Sequence, residues 1–445
     1  MKKVKRRTYM ILVLPGLILL LSLSFLMRLA SDGEDWVMFP ANLNVFSQGN
    51  LNLGSIYDRN GVALASPGER GLILHQSEEM RRANFHAVGD RAGNVGTGAM
   101  RAYGSQLIGY NLITGVYSRG GQGNTLHLTI DAEFNRVAFL ALAGRNGTVL
   151  VMNYETGEML VNVSSPSYDP LNPPANPWDI EGVYLNRGLS SSFIPGSIFK
   201  IVTAAAAIEE FPDALTRTFT CTGSLLVDGN QITCTGVHGA INLQQAMGHS
   251  CNPFFAQLAL ELGGDTLERY ATRFGLLSTH RVGNTQTAAG NFTAGANNSP
   301  ALAWSGVGQG ENLVTPFSML RFMGAIARGG TPVEPYFVSQ ITGGFLPYRP
   351  RQTGDRILPT TVSNQLATVL LEIVPAYYSG SFPGLNLAGK TGTAEVDGQR
   401  SHAWFTGFLD DPNHPYAFIV LVEHGGGGLS AAGSVANTVL QAMTR

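Results

Sequence analysis

The sequence predicts an α+β protein, one antiparallel sheet with a helical layer, preceded by a small mixed N-terminal segment and one transmembrane helix. Three observations carry this. An uncharged apolar run occupies residues 8–27. After about residue 145, β-rich runs open and close the chain around helix-like segments, the order expected of an α+β domain. Charged residues make up 13% of the 445 residues, hydrophobic ones 44%, and glycine numbers 54, which describes a packed, turn-rich chain and excludes disorder. The formal charge of -2 offers no broad attraction for phosphate, so no nucleic-acid partner is expected.

Lys2, Lys3, Lys5, Arg6 and Arg7 precede the run TYMILVLPGLILLLSLSFLM. At about 1.5 Å per residue it crosses the roughly 30 Å of bilayer hydrocarbon once. The positive cluster in front favours a cytoplasmic tail at 1–7, a membrane helix at 8–28 and an extracytoplasmic remainder. A cleaved signal peptide is the competing reading. Its apolar region runs about 7–15 residues, shorter than this one, although RLAS at 28–31 offers a weak cleavage site. Six of the 29 basic residues and no acid lie in residues 1–28, which leaves 23 basic against 31 acidic residues in the exported part.

Residues 29–144 read as short strands and Gly-rich turns with two or three helical stretches, a pedestal without internal repeats. From Asn146, GTVLVMNYETGEMLVNVSS reads as a hairpin turning at Tyr154 to Gly157. Residues 198–210, 243–249, 254–264 and 315–330 read as helices bounded by Gly or Pro. Residues 386–424 read as consecutive strands, and GSVANTVLQAMTR as a closing helix. Asp228-Gly229 marks a hairpin turn between Cys221 and Cys234, which brings the two sulfurs near each other and leaves a disulfide open. Cys251 then has no evident mate, no Cys and His spacing resembles a zinc site, and neither a metal nor an organic cofactor is expected.

Lysine occurs at five positions, and after Lys5 only Lys200 and Lys390 remain. Lys200 follows Ile194-Pro195-Gly196-Ser197, so Ser197 and Lys200 share a helix face one turn apart near the helix N-terminus. Its neighbours Phe199, Ile201 and Val202 are apolar, burial lowers a lysine pKa, and a neutral amine can take a serine proton. Taken alone, S-x-x-K reads more readily as an N-cap serine with a chance lysine. Lys390 opens Lys390-Thr391-Gly392-Thr393 on a strand, on the same face as Gly392, whose missing side chain leaves room for a ligand. Taken alone, KTG is also an edge strand with a protective lysine. Ser250-Cys251-Asn252, on a short loop before Pro253, projects a hydroxyl and an amide together, though S-x-N by itself is a common capping loop. His249 and His402 read as structural, Trp404 and Phe405 as packing residues, and Gly425 to Gly428 as a strand connection rather than a phosphate loop.

The ordered set S-x-x-K, S-x-N, K-T-G resembles that of penicillin-binding proteins and serine β-lactamases. SIYDRNG at 55–61, LHLTIDAEFN at 126–135, NYETGEMLVNVSSPSYDP at 153–170, LNRGLSSSFIPGSIFK at 185–200, HGAINLQQAMGHSCNPFF at 238–255, GVGQGENLVTP at 306–316 and KTGTAEV with HAWFTGF up to Phe408 extend the likeness. Over about residues 51–425 the chain resembles a class B penicillin-binding protein, a monofunctional peptidoglycan D,D-transpeptidase of the short actinobacterial-like or clostridial-like branch. Ile198 in place of a small residue and YDPLN in place of YDPN are departures that touch no reacting group.

The resemblance implies a penicillin-binding, serine β-lactamase-like transpeptidase domain at 145–445. It implies Ser197 as nucleophile, Lys200 as its base, Ser250 as proton relay to the departing D-alanine with help from the potential of Lys390, and Asn252 as a holder of the donor backbone. Lys390, Thr391 and Thr393 would hold the terminal carboxylate, with Gly392 between them, and the N–H groups of Ser197 and Thr393 would form the oxyanion hole. Implied partners are peptidoglycan stem peptides, β-lactams and a membrane-embedded glycan polymerase of the shape, elongation, division and sporulation family, since no glycosyltransferase module is expected between membrane and domain. The alternatives are a D,D-carboxypeptidase or β-lactamase of the same fold, against which SCN lacks the acid of SDN, and a non-catalytic sensor or division scaffold, against which the intact lysines argue.

Overall fold

The computed structural model describes residues 2–37, 54–68, 71–110, 123–343 and 354–445; the stretches of the expected pedestal at 38–53, 69–70 and 111–122 lie outside the described residues. The main sheet has five antiparallel strands in the order Leu387–Val396, Gln399–Leu409, Tyr416–Val422, Gly147–Asn153 and Met159–Ser165. Its two parts are the expected opening hairpin and the expected closing strands, which pair through Tyr416–Val422 against Gly147–Asn153. The strand GTVLVMN, flanked by Tyr416–Val422 and Met159–Ser165, is buried on both faces, which is why it reads as a continuous apolar run rather than an alternation.

Helices cover both faces. On one side Lys200–Glu210, Asn252–Leu262, Pro316–Ala327 and Thr360–Tyr377 enclose a core containing Leu150, Met152, Phe199, Trp404 and Ile419. On the other, Ala132–Leu142 and the closing helix Ser434–Met443 pack on Val149, Val151, Phe405 and Phe418. Trp404 is fully buried and donates its indole N–H to the Ile194 carbonyl at 3.0 Å, which pins the segment before Ser197 to the sheet. Truncating such a residue to alanine costs about 3–5 kcal/mol.

The pedestal carries its own five-stranded sheet, in the order Val338–Thr342, Thr125–Leu128, Ile56–Tyr57, Ala63–Gly68 and Gly71–Leu74. The separation expected at residues 144 and 145 is therefore not a clean cut. Val338–Thr342 crosses back to pair with Thr125–Leu128, while Ala132–Leu142 belongs to the main sheet's second face. The N-terminal helix also differs, running from Lys2 to Val37, past Arg28. No proline or capping residue stops it there, and Phe25 meets Trp36 at 6.2 Å across its last turns. Its span Ile11–Gly33 has a mean hydropathy of 2.2 and is long and apolar enough to cross a membrane.

Candidate active site

Ser197 was expected to open the α-helix, but it sits in a single 3-10 turn, Gly196–Phe199, and the α-helix starts at Lys200. Gly196 makes the turn: its φ is +55°, and a Cβ there would meet the Thr393 carbonyl at 2.6 Å, so only glycine lets the chain turn this close to the 387–396 strand. In a 3-10 turn residues three apart eclipse. The Lys200 amine accordingly lies 3.0 Å from the Ser197 hydroxyl.

Lys200 is fully buried beside Ile198, Phe199, Ile201 and Val202. Its Nζ also reaches the Ser250 carbonyl at 2.6 Å, the Ser250 hydroxyl at 3.1 Å and Asn252 Oδ1 at 2.7 Å. Burial, and then the nearby charge of Lys390, push this amine well below its ordinary value. The partner set fixes what a neutral amine does. The carbonyl and the amide oxygen can only accept, so they take its two N–H groups and leave the lone pair for the hydroxyls. The Asn252 orientation is held from the other end, where Nδ2 donates to the Thr233 carbonyl at 2.8 Å.

Ser250 caps the helix Leu243–His249 in the left-handed region, φ +55°, and Asn252 begins the next helix, so the expected loop is two residues long. Lys390 is fully buried, not a protective residue on the sheet edge; its Nζ lies 3.1 Å from the Ser250 hydroxyl and 2.9 Å from the Thr391 carbonyl. Burial lowers its amine to about 7. Ser250 thus bridges two amines, and Ser197, Lys200, Ser250, Asn252 and Lys390 form one hydrogen-bonded chain.

The expectation that Gly392 opens room for a ligand is corrected. A Cβ there would sit 3.0 Å from Ile198 and Trp404 and 3.1 Å from the Pro195 carbonyl. The missing side chain brings the strand against the nucleophile's turn. Thr391 shares a hydrogen bond with the Tyr378 hydroxyl at 3.1 Å, whereas Thr393 is exposed and its hydroxyl accepts the Gly428 N–H at 3.4 Å.

Sequence reasoning gave no role to several supports. The Gly308 carbonyl accepts the Gly196 N–H at 2.8 Å, and Gln309 Nε2 donates to the Thr393 carbonyl at 3.5 Å. Both lie in GVGQGENLVTP, which carried the resemblance without an assigned task. Tyr378 follows a helix, Thr360–Tyr377, that has no side-chain cap and holds Pro375, which hid it from a reading based on caps and breakers. His249 stacks on His238 and His402 accepts the His424 N–H, in keeping with structural roles.

The cysteines depart from expectation. All three are free, and the hairpin Ser224–Val227/Asn230–Thr233 folds back on the Ser250–Asn252 loop, so that Cys251 joins Cys221 and Cys234 instead of standing apart. With His238 they form a set of metal-ligating atoms that spacing along the chain did not reveal.

The family model for the penicillin binding protein transpeptidase domain matches residues 147–442. The peptidoglycan D,D-transpeptidase PbpA of Mycolicibacterium smegmatis is 31% identical over 366 residues, covering 75% of this chain and 73% of the relative. PbpA of Mycobacterium tuberculosis is 32% identical over 367 residues, with the same coverage of 75% and 73%. The imipenem acyl-enzyme complex of penicillin-binding protein A from M. tuberculosis superposes with a TM-score of 0.77 at 25% identity, over 91% of this chain and 100% of that one. Pseudomonas aeruginosa PBP2 in complex with WCK 5153 gives 0.75 at 25% identity, over 88% and 96%. With a matching family model over most of its length and relatives of this identity across three quarters of it, the chain belongs to the penicillin-binding protein transpeptidase family, as a class B penicillin-binding protein.

Proposed function

We propose that the chain is a peptidoglycan D,D-transpeptidase whose Ser197 forms an acyl-enzyme with the stem peptide and is trapped in the same way by β-lactams. The observation that carries this is the Lys200 partner set: two obligate acceptors occupy its N–H groups, and its lone pair is left for the Ser197 hydroxyl. Ser197 Oγ attacks the carbonyl between the two terminal D-alanines, Lys200 takes the proton, and an ester forms as the C–N bond breaks. Ser250, bridging Lys200 and Lys390, returns the proton to the leaving D-alanine amine. An amine of a neighbouring stem peptide then displaces Ser197 and makes the crosslink. With its amine near 7, Lys390 gains a full positive charge when a substrate carboxylate approaches, and with Thr393 and Thr391 it holds that group. Following the family, Asn252 binds the donor backbone and the N–H groups of Ser197 and Thr393 form the oxyanion hole.

The N-terminal helix is read as a single membrane crossing with its N-terminus in the cytoplasm and the domain outside, supported by its exposed apolar side chains from Ile11 to Met27 and the basic cluster before them. A glycan polymerase of the shape, elongation, division and sporulation family as membrane partner rests on the family resemblance. The test of activity is a donor peptide ending in D-Ala-D-Ala offered with and without an acceptor amine. Transfer to the amine is expected. Release of free D-alanine with hydrolysis alone, or rapid turnover of penicillin, would instead show a carboxypeptidase or a β-lactamase.

A further inference from the structure

Directly behind the Ser250–Asn252 loop, four side chains with metal-ligating atoms converge. They are Cys221 at the end of strand Phe219–Cys221, Cys234 after Asn230–Thr233, His238 just before Gly239–Ile241, and Cys251 between Ser250 and Asn252. Each offers one donor atom, and all four donors lie within 4.8 Å of one another. Cys234 Sγ is 3.9 Å from Cys251 Sγ and 3.7 Å from His238 Nδ1. These lengths match the edges of a zinc tetrahedron: with Zn–S about 2.3 Å and Zn–N about 2.0–2.1 Å, sulfurs stand roughly 3.8 Å apart and sulfur and nitrogen roughly 3.6 Å. A disulfide would need the sulfurs at about 2.05 Å and would strand the third cysteine.

We infer that Cys221, Cys234, His238 and Cys251 bind one Zn²⁺ in a closed, four-coordinate structural site that fixes the position of the Ser250–Asn252 loop. Three thiolates and a neutral imidazole saturate a tetrahedral ion and leave no open position for catalysis. Binding releases three thiol protons, among them the one Cys221 shares with the Gly236 carbonyl at 3.7 Å. The Gly236 and Asn252 backbones hydrogen-bond the Cys234 sulfur, outer-shell contacts of the kind that orient a thiolate ligand. Cys221 and Cys251 are fully buried while Cys234 and His238 are partly exposed, so the site is shielded yet reachable from one side.

The ion would act through position. Cys251 is covalently flanked by the proton relay and by the asparagine that orients Lys200, and Thr233, whose carbonyl holds the Asn252 amide, is covalently joined to Cys234. A bond from one metal to Cys234 and Cys251 therefore clamps both ends of the Asn252 bridge. The four ligands are positioning residues and touch no substrate.

The experiment is elemental analysis of the full-length chain purified in detergent without chelator, then re-equilibrated with Zn²⁺ and desalted. One zinc per chain is expected, with three alkylatable thiols after denaturation. Cys221→Ser and His238→Ala should each lose most of the metal. Loading with Co²⁺ should give thiolate-to-cobalt charge-transfer absorption and the intense visible bands of a tetrahedral site. Removing zinc should slow penicillin acylation several-fold, and re-adding it should restore the rate. That last effect rests on the transpeptidase reading, whereas metal content and the cobalt spectrum do not, so the two can fail separately. A chain that holds no zinc even after re-equilibration, or whose mass is lower by two hydrogens because Cys234 and Cys251 are bonded, would overturn the inference.

Discussion

At the scale of single residues, the reactive centre depends on what surrounds one amine. Lys200 is buried with four oxygen partners and no carboxylate among them, so the neutral form suits its site. Lys200→Arg puts there a guanidinium that cannot lose its proton near neutral pH, and acylation by penicillin should fall about 10²–10⁴-fold, the usual contribution of a positioned base. Asn252→Asp separates the base from a mere spacer. A carboxylate 2.7 Å away raises the Lys200 pKa, so the amine is protonated at neutral pH; acylation should be slow there and recover as pH rises. Stopped-flow acylation against pH checks this, and a uniformly slow, pH-independent variant would count against Lys200 as the base. These residues were legible because the only two lysines after Lys5 fall in two of the three motifs. The Thr233 carbonyl and the Cys251 environment were not legible, since both depend on a hairpin folding back across the chain. The pair Cys234-x-x-x-His238 was the one local signal for the thiol cluster, and a search for paired cysteines passes over it.

At the scale of elements, the pedestal is fastened to the catalytic domain by polar groups buried between them. On helix Glu78–Ala83, Arg81 meets Asp169 through two parallel bonds, Nε to Oδ1 at 2.6 Å and Nη2 to Oδ2 at 2.8 Å, while its third nitrogen donates to the His75 and Gln76 carbonyls. Asp169 belongs to the YDP run, so a motif seen as a family mark turns out to be a strap. Arg81→Ala leaves that carboxylate buried with only Leu171 and Asn172 as donors, a loss on the order of 3 kcal/mol measurable by urea unfolding. Acid should loosen the same seam in two stages. His86 is buried against the Val183 carbonyl, and burial lowers its pKa from 6.5 to about 4. The unfolded chain takes up that proton first, so stability falls as pH drops from about 6.5 to 4. Asp169, held down to about 2 chiefly by its bond to Arg81, contributes stability that is full above 3.8 and lost as pH falls toward 2. Melting temperature against pH should show the upper step vanish in His86→Phe and the lower step vanish in Arg81→Ala. Most strands were legible because the central sheet is continuously apolar. Helices Gly264–Arg273 and Thr360–Tyr377 were not, because neither has a side-chain N-cap and the second holds Pro375, whereas the eight-residue helix Pro300–Val307 went unread although Ser299, Pro300 and Gly308 mark its ends.

At the scale of the whole molecule, a long exposed apolar helix, a pedestal that borrows the strand Val338–Thr342, and a sheet in which the last strand of the chain pairs with Gly147–Asn153 place the site far along the chain from the N-terminal helix. Deleting residues 2–37 should move the protein from the membrane fraction to the soluble one; persistence in membranes would show a second attachment. The borrowed strand could not be read from sequence, because pairing across some 210 residues leaves no local trace, and neither could the helix running on past Arg28. What was legible, the apolar N-terminal helix and the motif order, needed only composition and spacing. The account stands on Ser197 as the nucleophile, and the most direct measurement is to acylate the full-length protein with a fluorescent penicillin, digest it and locate the adduct by tandem mass spectrometry, beside a folded Ser197→Ala variant. The account predicts one adduct, on the peptide bearing Ser197, and none in the variant. An adduct on another residue, or undiminished labelling of Ser197→Ala, would contradict it.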